Sequence, residues 1–294
     1  MNSQNKIKII ADASCDFMQE EAKAMGLELA AIPVVIDGKD YLESVDLPHE
    51  EFYRLLINAK SIPVTAHISV QRFMDYFEQY HTEGYTDVIV ITINSKGSYT
   101  YDSAVVGRNN FYEEHPELRE SFHVYVVDSQ SYSIGFAYPV TQALKKREDG
   151  LSAREIVAYL EDLAPRIEIY FSIMSLKWAK KSGRITVMAA FVGEMLGIKP
   201  IMRLADGEIT MYDKVRGEKP VPSRLAEIAY ERSADKKTYM TISGITNDVE
   251  RKMIECMAEK TGTQPTMSMT IGPSIAINAG PDATAIMIIG EKRD

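Results

Sequence analysis

Apolar residues in the first half of the chain fall in short continuous runs separated by amphipathic stretches. Ile7-Lys8-Ile9-Ile10-Ala11 predicts a strand ending at Asp12, and Glu28 to Ile36 predicts a second, closed by Asp37-Gly38. Val88 to Ile93 is an unbroken β-branched run, the mark of a strand covered on both faces. Val124 to Val127 predicts another strand, ending in Asp128-Ser129. Asp46 is placed to cap a helix from about Pro48 that shows Phe52, Leu55, Leu56 and Ala59 on one face. Buried strands alternating with helices predict a parallel sheet with helices on both sides. Ligands of such sheets bind beyond the carboxyl ends of the strands. The loops there are Asp12-Ala13-Ser14, Asn94 to Ser98 and Asp128-Ser129-Gln130.

The pattern changes after the helix that begins at Ser152. Ser152 and Glu155 form a capping box ahead of Ile156, Val157, Leu160 and Leu163, and Pro165 ends the helix. That break predicts two domains, residues 1–165 and 166–294. A strand is expected over Ile167 to Met174, then two helices split at Ser182-Gly183. Strands near Ile198 to Leu204 and Ile209 to Tyr212 flank Asp206-Gly207, a hairpin signal. A helix over Arg224 to Ser233 and a strand over Tyr239 to Ile245 follow. Asn247 and Glu250 are placed to cap a helix carrying Val249, Met253, Ile254 and Met257, and Ala283 to Ile289 is expected as the closing strand. The second domain therefore reads as a mixed or antiparallel sheet covered by helices, and the whole chain as an α/β protein. No low-complexity linker separates the halves, so they are expected to pack closely.

Charge narrows the partners. The formal net charge is -9 over 294 residues, with no basic stripe of the kind nucleic acid requires. Cys15 and Cys256 form no CxxC pair, and the five histidines show no metal-ligand spacing. The segment Met1 to Lys8 lacks a signal-peptide apolar region, and the longest apolar run, Val187 to Val192, is far too short to span a bilayer. These features predict a soluble, cytoplasmic protein with no cofactor. GxSxG, GxxxxGK[ST] and GxGxxG motifs are all missing.

Four segments could carry chemistry. Asn94 to Ala104 offers hydroxyls, a glycine and a helix start, which together suit an anion. Val64-Thr65-Ala66-His67-Ile68-Ser69 places Thr65 before a helix with Phe73 and Phe77. Lys180 to Ile185 contains Arg184, whose planar fork suits a carboxylate. In Ile271 to Pro281, two Gly-Pro dipeptides frame a short apolar segment. Taken singly, each reads more simply as a cap, a surface ion pair or a loop with a one-turn helix.

Together the four resemble the DegV family of bacterial fatty-acid-binding proteins, in order and spacing across nearly the whole chain. Ile9 to Asp16 is similar to the family's opening DSxxDL, Thr65 to Ser69 to its TSQPS, and Asn94 to Ala104 to its SSGLSGTYxSA. Ser182-Gly183-Arg184-Ile185, Gly197 to Ile201, Asp206-Gly207 and Lys214-Val215-Arg216 resemble its GGRI…IKPI…DG…KxR signature. The resemblance implies a two-domain fold enclosing a long-chain fatty acid such as palmitate or oleate. It implies Thr65 and Ser95 at the carboxylate, helped by the loop through Ser98, with Arg184 as a nearby polar or partner-facing residue. It also implies a non-catalytic protein that presents the acid to a separate kinase. The chain departs from the pattern at His67-Ile68, Asn94, Lys96-Gly97 and Ser182, and at Asn278, where the family has a histidine tied to work with the kinase. His67 is a spatial substitute for that histidine in this reading.

Other classes make different demands. A serine hydrolase or acyl transferase would use Ser95 or Ser98 as nucleophile with His67 as base, in hydrogen-bond contact. A phosphotransfer subunit resembling the dihydroxyacetone kinases would need a substrate-binding histidine, and none is well placed. A pure interaction protein would leave its cavity empty.

Overall fold

The structure is a computed structural model that describes residues 6–175, 177–179 and 197–293. Strands β1 (Ile7–Asp12), β2 (Leu27–Ala30), β6 (Asp87–Thr92) and β7 (His123–Asp128) form a parallel sheet in the order β2-β1-β6-β7. Every residue of β6 is buried, as the β-branched run requires of a strand covered on both faces. Two helix pairs cover the sheet: α3 (Val70–Thr82) with α4 (Thr100–Glu114), and α5 (Ile134–Glu148) with α6 (Ala153–Leu163). The capping box at Ser152 and Glu155 opens α6 as expected, and α1 (Gln19–Ala24) links β1 to β2.

The second sheet joins β8 (Ile167–Ser172), β9 (Ile198–Ala205), β10 (Glu208–Arg216), β11 (Tyr239–Ser243), β12 (Met267–Thr270) and β13 (Thr284–Ile289) in the order β10-β9-β8-β13-β11-β12. All neighbours are antiparallel except β11 and β12. One face packs on α7 (Val221–Arg232) and α8 (Asp248–Thr261) through Tyr170, Ile286, Leu225 and Met253. The other face, with Ile169, Leu204, Ile242 and Ala285, looks toward the rest of the molecule. Asp206 (φ 54°) and Gly207 (φ 72°) make the tight β9–β10 turn, the backbone that Asp-Gly favours.

A third, small sheet, β4 (Lys39–Leu42), β3 (Pro33–Ile36) and β5 (Val64–Thr65), is antiparallel. With α2 (His49–Asn58) it joins the core of the second sheet through Val34, Ile36, Phe52 and Leu56. Tyr53 Oη donates to the Ile271 carbonyl at 2.8 Å and ties α2 to the chain just after β12.

Several expectations change. The single strand over residues 28–36 is two strands in different sheets, because the chain leaves the parallel sheet before Pro33. Asp46 accepts from Leu42 N at 2.6 Å and leaves α2 capped by Pro48. Glu250 does not cap α8; it accepts from Ser243 Oγ. The last strand forms as expected, as β13, and inserts between β8 and β11. The expected split at Ser182-Gly183 lies outside the described residues.

Candidate functional site

A cavity of about 420 Å³ is lined from both halves of the chain. Its floor is apolar, built by Ile134, Ile169, Phe171, Leu204, Ile242 and Ala285. Its outer end is polar, where Thr65, Ser95 and Ser98 are partly buried and His67 and Lys96 are exposed.

Each polar group is positioned by a strand end or a helix start. Thr65 is fixed in β5 by pairing opposite Val34. Ser95 follows β6, and its N–H donates to Asp128 Oδ1 at 3.2 Å, at the end of β7. Ser98 Oγ meets Thr100 Oγ1 at 3.0 Å and accepts from Thr100 N at 3.3 Å at the start of α4, so capping occupies part of its capacity. Among the described residues, neither Thr65 Oγ1 nor Ser95 Oγ has a hydrogen-bond partner. Lys96 lines the cavity, but its ammonium pairs with Glu208 at 2.8 Å.

Asn278 lies on α9 (Pro273–Ala279) and lines the same cavity, with Nδ2 donating to Ser274 O at 2.7 Å. His67 packs edge-on against Tyr99, ring centroids 5.9 Å apart. No hydrogen bond joins it to Ser95 or Ser98 among the described residues, so the geometry of a serine nucleophile and its base is not assembled. The structure thus brings Thr65, His67, Ser95, Ser98 and Asn278 to one cavity. Arg184 lies outside the described residues.

Sequence reasoning missed the wall behind this site. Ser133 and Ser274 line the cavity and donate their hydroxyls to two buried acids, Asp16 and Glu43. Gly272 N donates to Asp16 at 3.0 Å and Ser274 N to Glu43 at 3.0 Å. Burial pushes the Glu43 carboxyl up to about 7 and the Asp16 carboxyl well above the usual range. Burial likewise pushes Asp12 up to about 6, although Ser14 and Ile93 N donate to it. Asp12 lies close enough to Asp16 to add to the rise of the Asp16 carboxyl. Acidic residues in loops ordinarily read as solvated, and no sequence signal marked these as buried.

A parallel α/β unit and a helix-backed mixed sheet line one cavity with hydroxyls at its outer end, and the chain is an α/β protein with the kind of concave site that small molecules favour. Residues 6–291 match a family described as "Uncharacterised protein, DegV family", and the chain belongs to that family. A DegV domain-containing protein of Clostridium acetobutylicum is 30% identical over 263 residues, covering 85% of this chain and 91% of the relative. The crystal structure of a fatty acid binding DegV family protein from Streptococcus agalactiae aligns with a TM-score of 0.83 at 28% identity, covering 97% of this chain and 99% of that one. A stearic acid-binding protein from Eubacterium ventriosum shares the fold, with a TM-score of 0.85 at 24% identity and coverage of 97% and 99%. Among the described residues, no helix is long and apolar enough to cross a membrane.

Proposed function

We propose that this protein binds a long-chain fatty acid in the cavity, tail against the second sheet and carboxylate between Thr65, Ser95 and the loop through Ser98. The observation that carries the reading is the pair of hydroxyls, Thr65 and Ser95, without a partner among the described residues, at one end of a cavity whose floor is apolar. A hydrocarbon tail gains roughly 0.8 kcal/mol per buried methylene, so a sixteen-carbon acid draws on the order of 10 kcal/mol before association costs. The head then needs only satisfied hydrogen bonds, since a desolvated, unpaired carboxylate costs several kcal/mol. Each hydroxyl or N–H donor to that charge contributes about 1.5–3 kcal/mol. The Streptococcus and Eubacterium relatives, described as binding fatty acids, support the reading.

In this reading the protein is a cytoplasmic, non-catalytic lipid-binding subunit with domains at residues 1–165 and 166–294. It serves lipid transport or fatty acid metabolism and presents the acid to a kinase, with Arg184, His67 and Asn278 facing the partner or lying beside the head group. Neutral donors leave a carboxylate more nucleophilic toward a phosphoryl donor than a tight ion pair does. The test is titration of delipidated protein with palmitate. The Thr65→Ala/Ser95→Ala double variant loses at least about tenfold in affinity; unchanged affinity overturns the head-group assignment.

A further inference from the structure

We propose that Asn94 is a positioning residue for the head of the bound acid: it sets the Ser95 hydroxyl by locking the 94–98 loop between Tyr132 and the β9–β10 turn. The inference rests on the fatty-acid reading above and adds to it a residue that does not itself touch the ligand.

Asn94 is 1% exposed, and every polar group it carries is used. Its N–H donates to Ser131 O at 3.0 Å, and its carbonyl accepts from Gly97 N at 3.0 Å. Oδ1 accepts from Lys96 N at 3.2 Å, while Nδ2 donates to Tyr132 Oη at 2.9 Å and to Gly207 O at 2.8 Å. A side-chain amide has two donor hydrogens and one acceptor oxygen, and both hydrogens and the oxygen are engaged here. A serine here would have one donor hydrogen and a shorter reach, so it could not serve Tyr132, Gly207 and Lys96 together. The Ser95 backbone is therefore fixed twice: the bond from Lys96 N to Asn94 Oδ1 spans it, and Asp128 accepts from its own N–H.

Two glycines make the arrangement possible. A Cβ on Gly207 would lie 2.6 Å from Asn94 Oδ1, and one on Gly97 would lie 2.1 Å from Tyr132 Oη. The turn that receives the amide is braced from behind. The Asp206 carboxylate accepts from Arg293 Nε at 2.8 Å and Nη2 at 3.0 Å. The amide thus connects the polar end of the cavity to a rigid part of the second sheet. A loop without it must be ordered when the ligand arrives, and that cost falls on the head group alone.

The head-specific cost gives the test. Affinities for hexadecanoic acid and hexadecan-1-ol, which share a tail, are measured for the wild type, Asn94→Ser and Gly207→Ala. Gly207 does not line the cavity, so its variant disturbs Asn94 without touching ligand and serves if Asn94→Ser fails to fold. The expected result is a wild-type preference for the acid that falls about tenfold in both variants while alcohol affinity changes less than about twofold. Wild type with no preference for the acid overturns the fatty-acid head-group reading itself. Wild-type preference that survives in both variants, or equal loss of acid and alcohol, overturns only the role of Asn94.

Discussion

The Ser274 hydroxyl donates to the Glu43 carboxyl across 231 residues of sequence, and both side chains are buried. This bond fixes the first turn of α9, one wall of the cavity, to the loop after β4. Asp16 performs the same service for Gly272 and Ser133. Among the described residues no cation pairs with either acid, and their protonation bears on stability.

Stability is expected to fall as pH rises through the mildly acidic range. The Glu43 carboxyl sits at about 7 against an ordinary 4.5, and Asp12 at about 6 against 3.8. The folded state thus holds protons that the unfolded chain has already released. The stabilisation is full below the unfolded value and is lost as pH climbs to the folded one. For Glu43 alone the loss is on the order of 3 kcal/mol. Urea unfolding at pH 5 and pH 8 should show the drop, and Glu43→Gln should narrow it. An equal drop in the variant would rule Glu43 out as its source.

Glu168 behaves in the opposite sense. Burial acts to raise its pKa, yet hydrogen bonds from Arg232 and Tyr170 and the charge of Arg203 hold it at about 2. Its contribution is present above the ordinary carboxylate value and disappears only below it. Arg293 also reaches Glu168 at 3.2 Å. Glu168→Gln leaves three guanidiniums around an uncharged group and should cost about 3–5 kcal/mol at neutral pH. A thermal midpoint like that of wild type would contradict this account.

Ala285 forms part of the cavity floor. It pairs with Phe171 on β8 and Ile242 on β11, all of which line the cavity. Ala285→Leu fills the space of two or three methylenes, so binding of an eighteen-carbon acid should weaken by about 2 kcal/mol, roughly thirtyfold. A fourteen-carbon acid should be much less affected. Equal weakening of both lengths would show that the tail does not reach this strand.

The two cysteines should differ in reactivity. Cys15 is fully buried, and its thiol is pushed well above the ordinary value by burial, with Asp12 adding to the shift. Cys256 is partly exposed on α8. A thiol reagent should modify Cys256 in native protein and reach Cys15 only in denaturant. Fast native labelling of both, followed by mass spectrometry of peptides, would refute the burial.

Local signals were readable where one residue's preference decided the outcome. The β-branched run of β6, the Asp206-Gly207 turn and the Ser152–Glu155 box each form as their sequences predict. Thr65, Ser95, Ser98 and Asn278 lie in segments that the family resemblance singled out, and all four line the cavity, whereas nothing in the sequence pointed to Ser133. Misreadings arose where a distant partner decided. The apolar stretch before Asp37 gives no sign that its two halves pair in different sheets. Met267-Ser268-Met269-Thr270 has little strand character and becomes β12 because β11 offers it a parallel partner. Asp46 and Glu250 look like caps in sequence, but Leu42 N and Ser243 Oγ claim them.

The place of β13 in its sheet also governs when the cavity can exist. Residues 284–289 insert between β8 and β11, and Ala285 supplies part of the floor. During synthesis the parallel unit can fold while this strand is still inside the ribosome. The second sheet meanwhile stays divided, with unpaired backbone facing a gap. The cavity is therefore complete only after residues 284–289 have left the ribosome and paired on both sides.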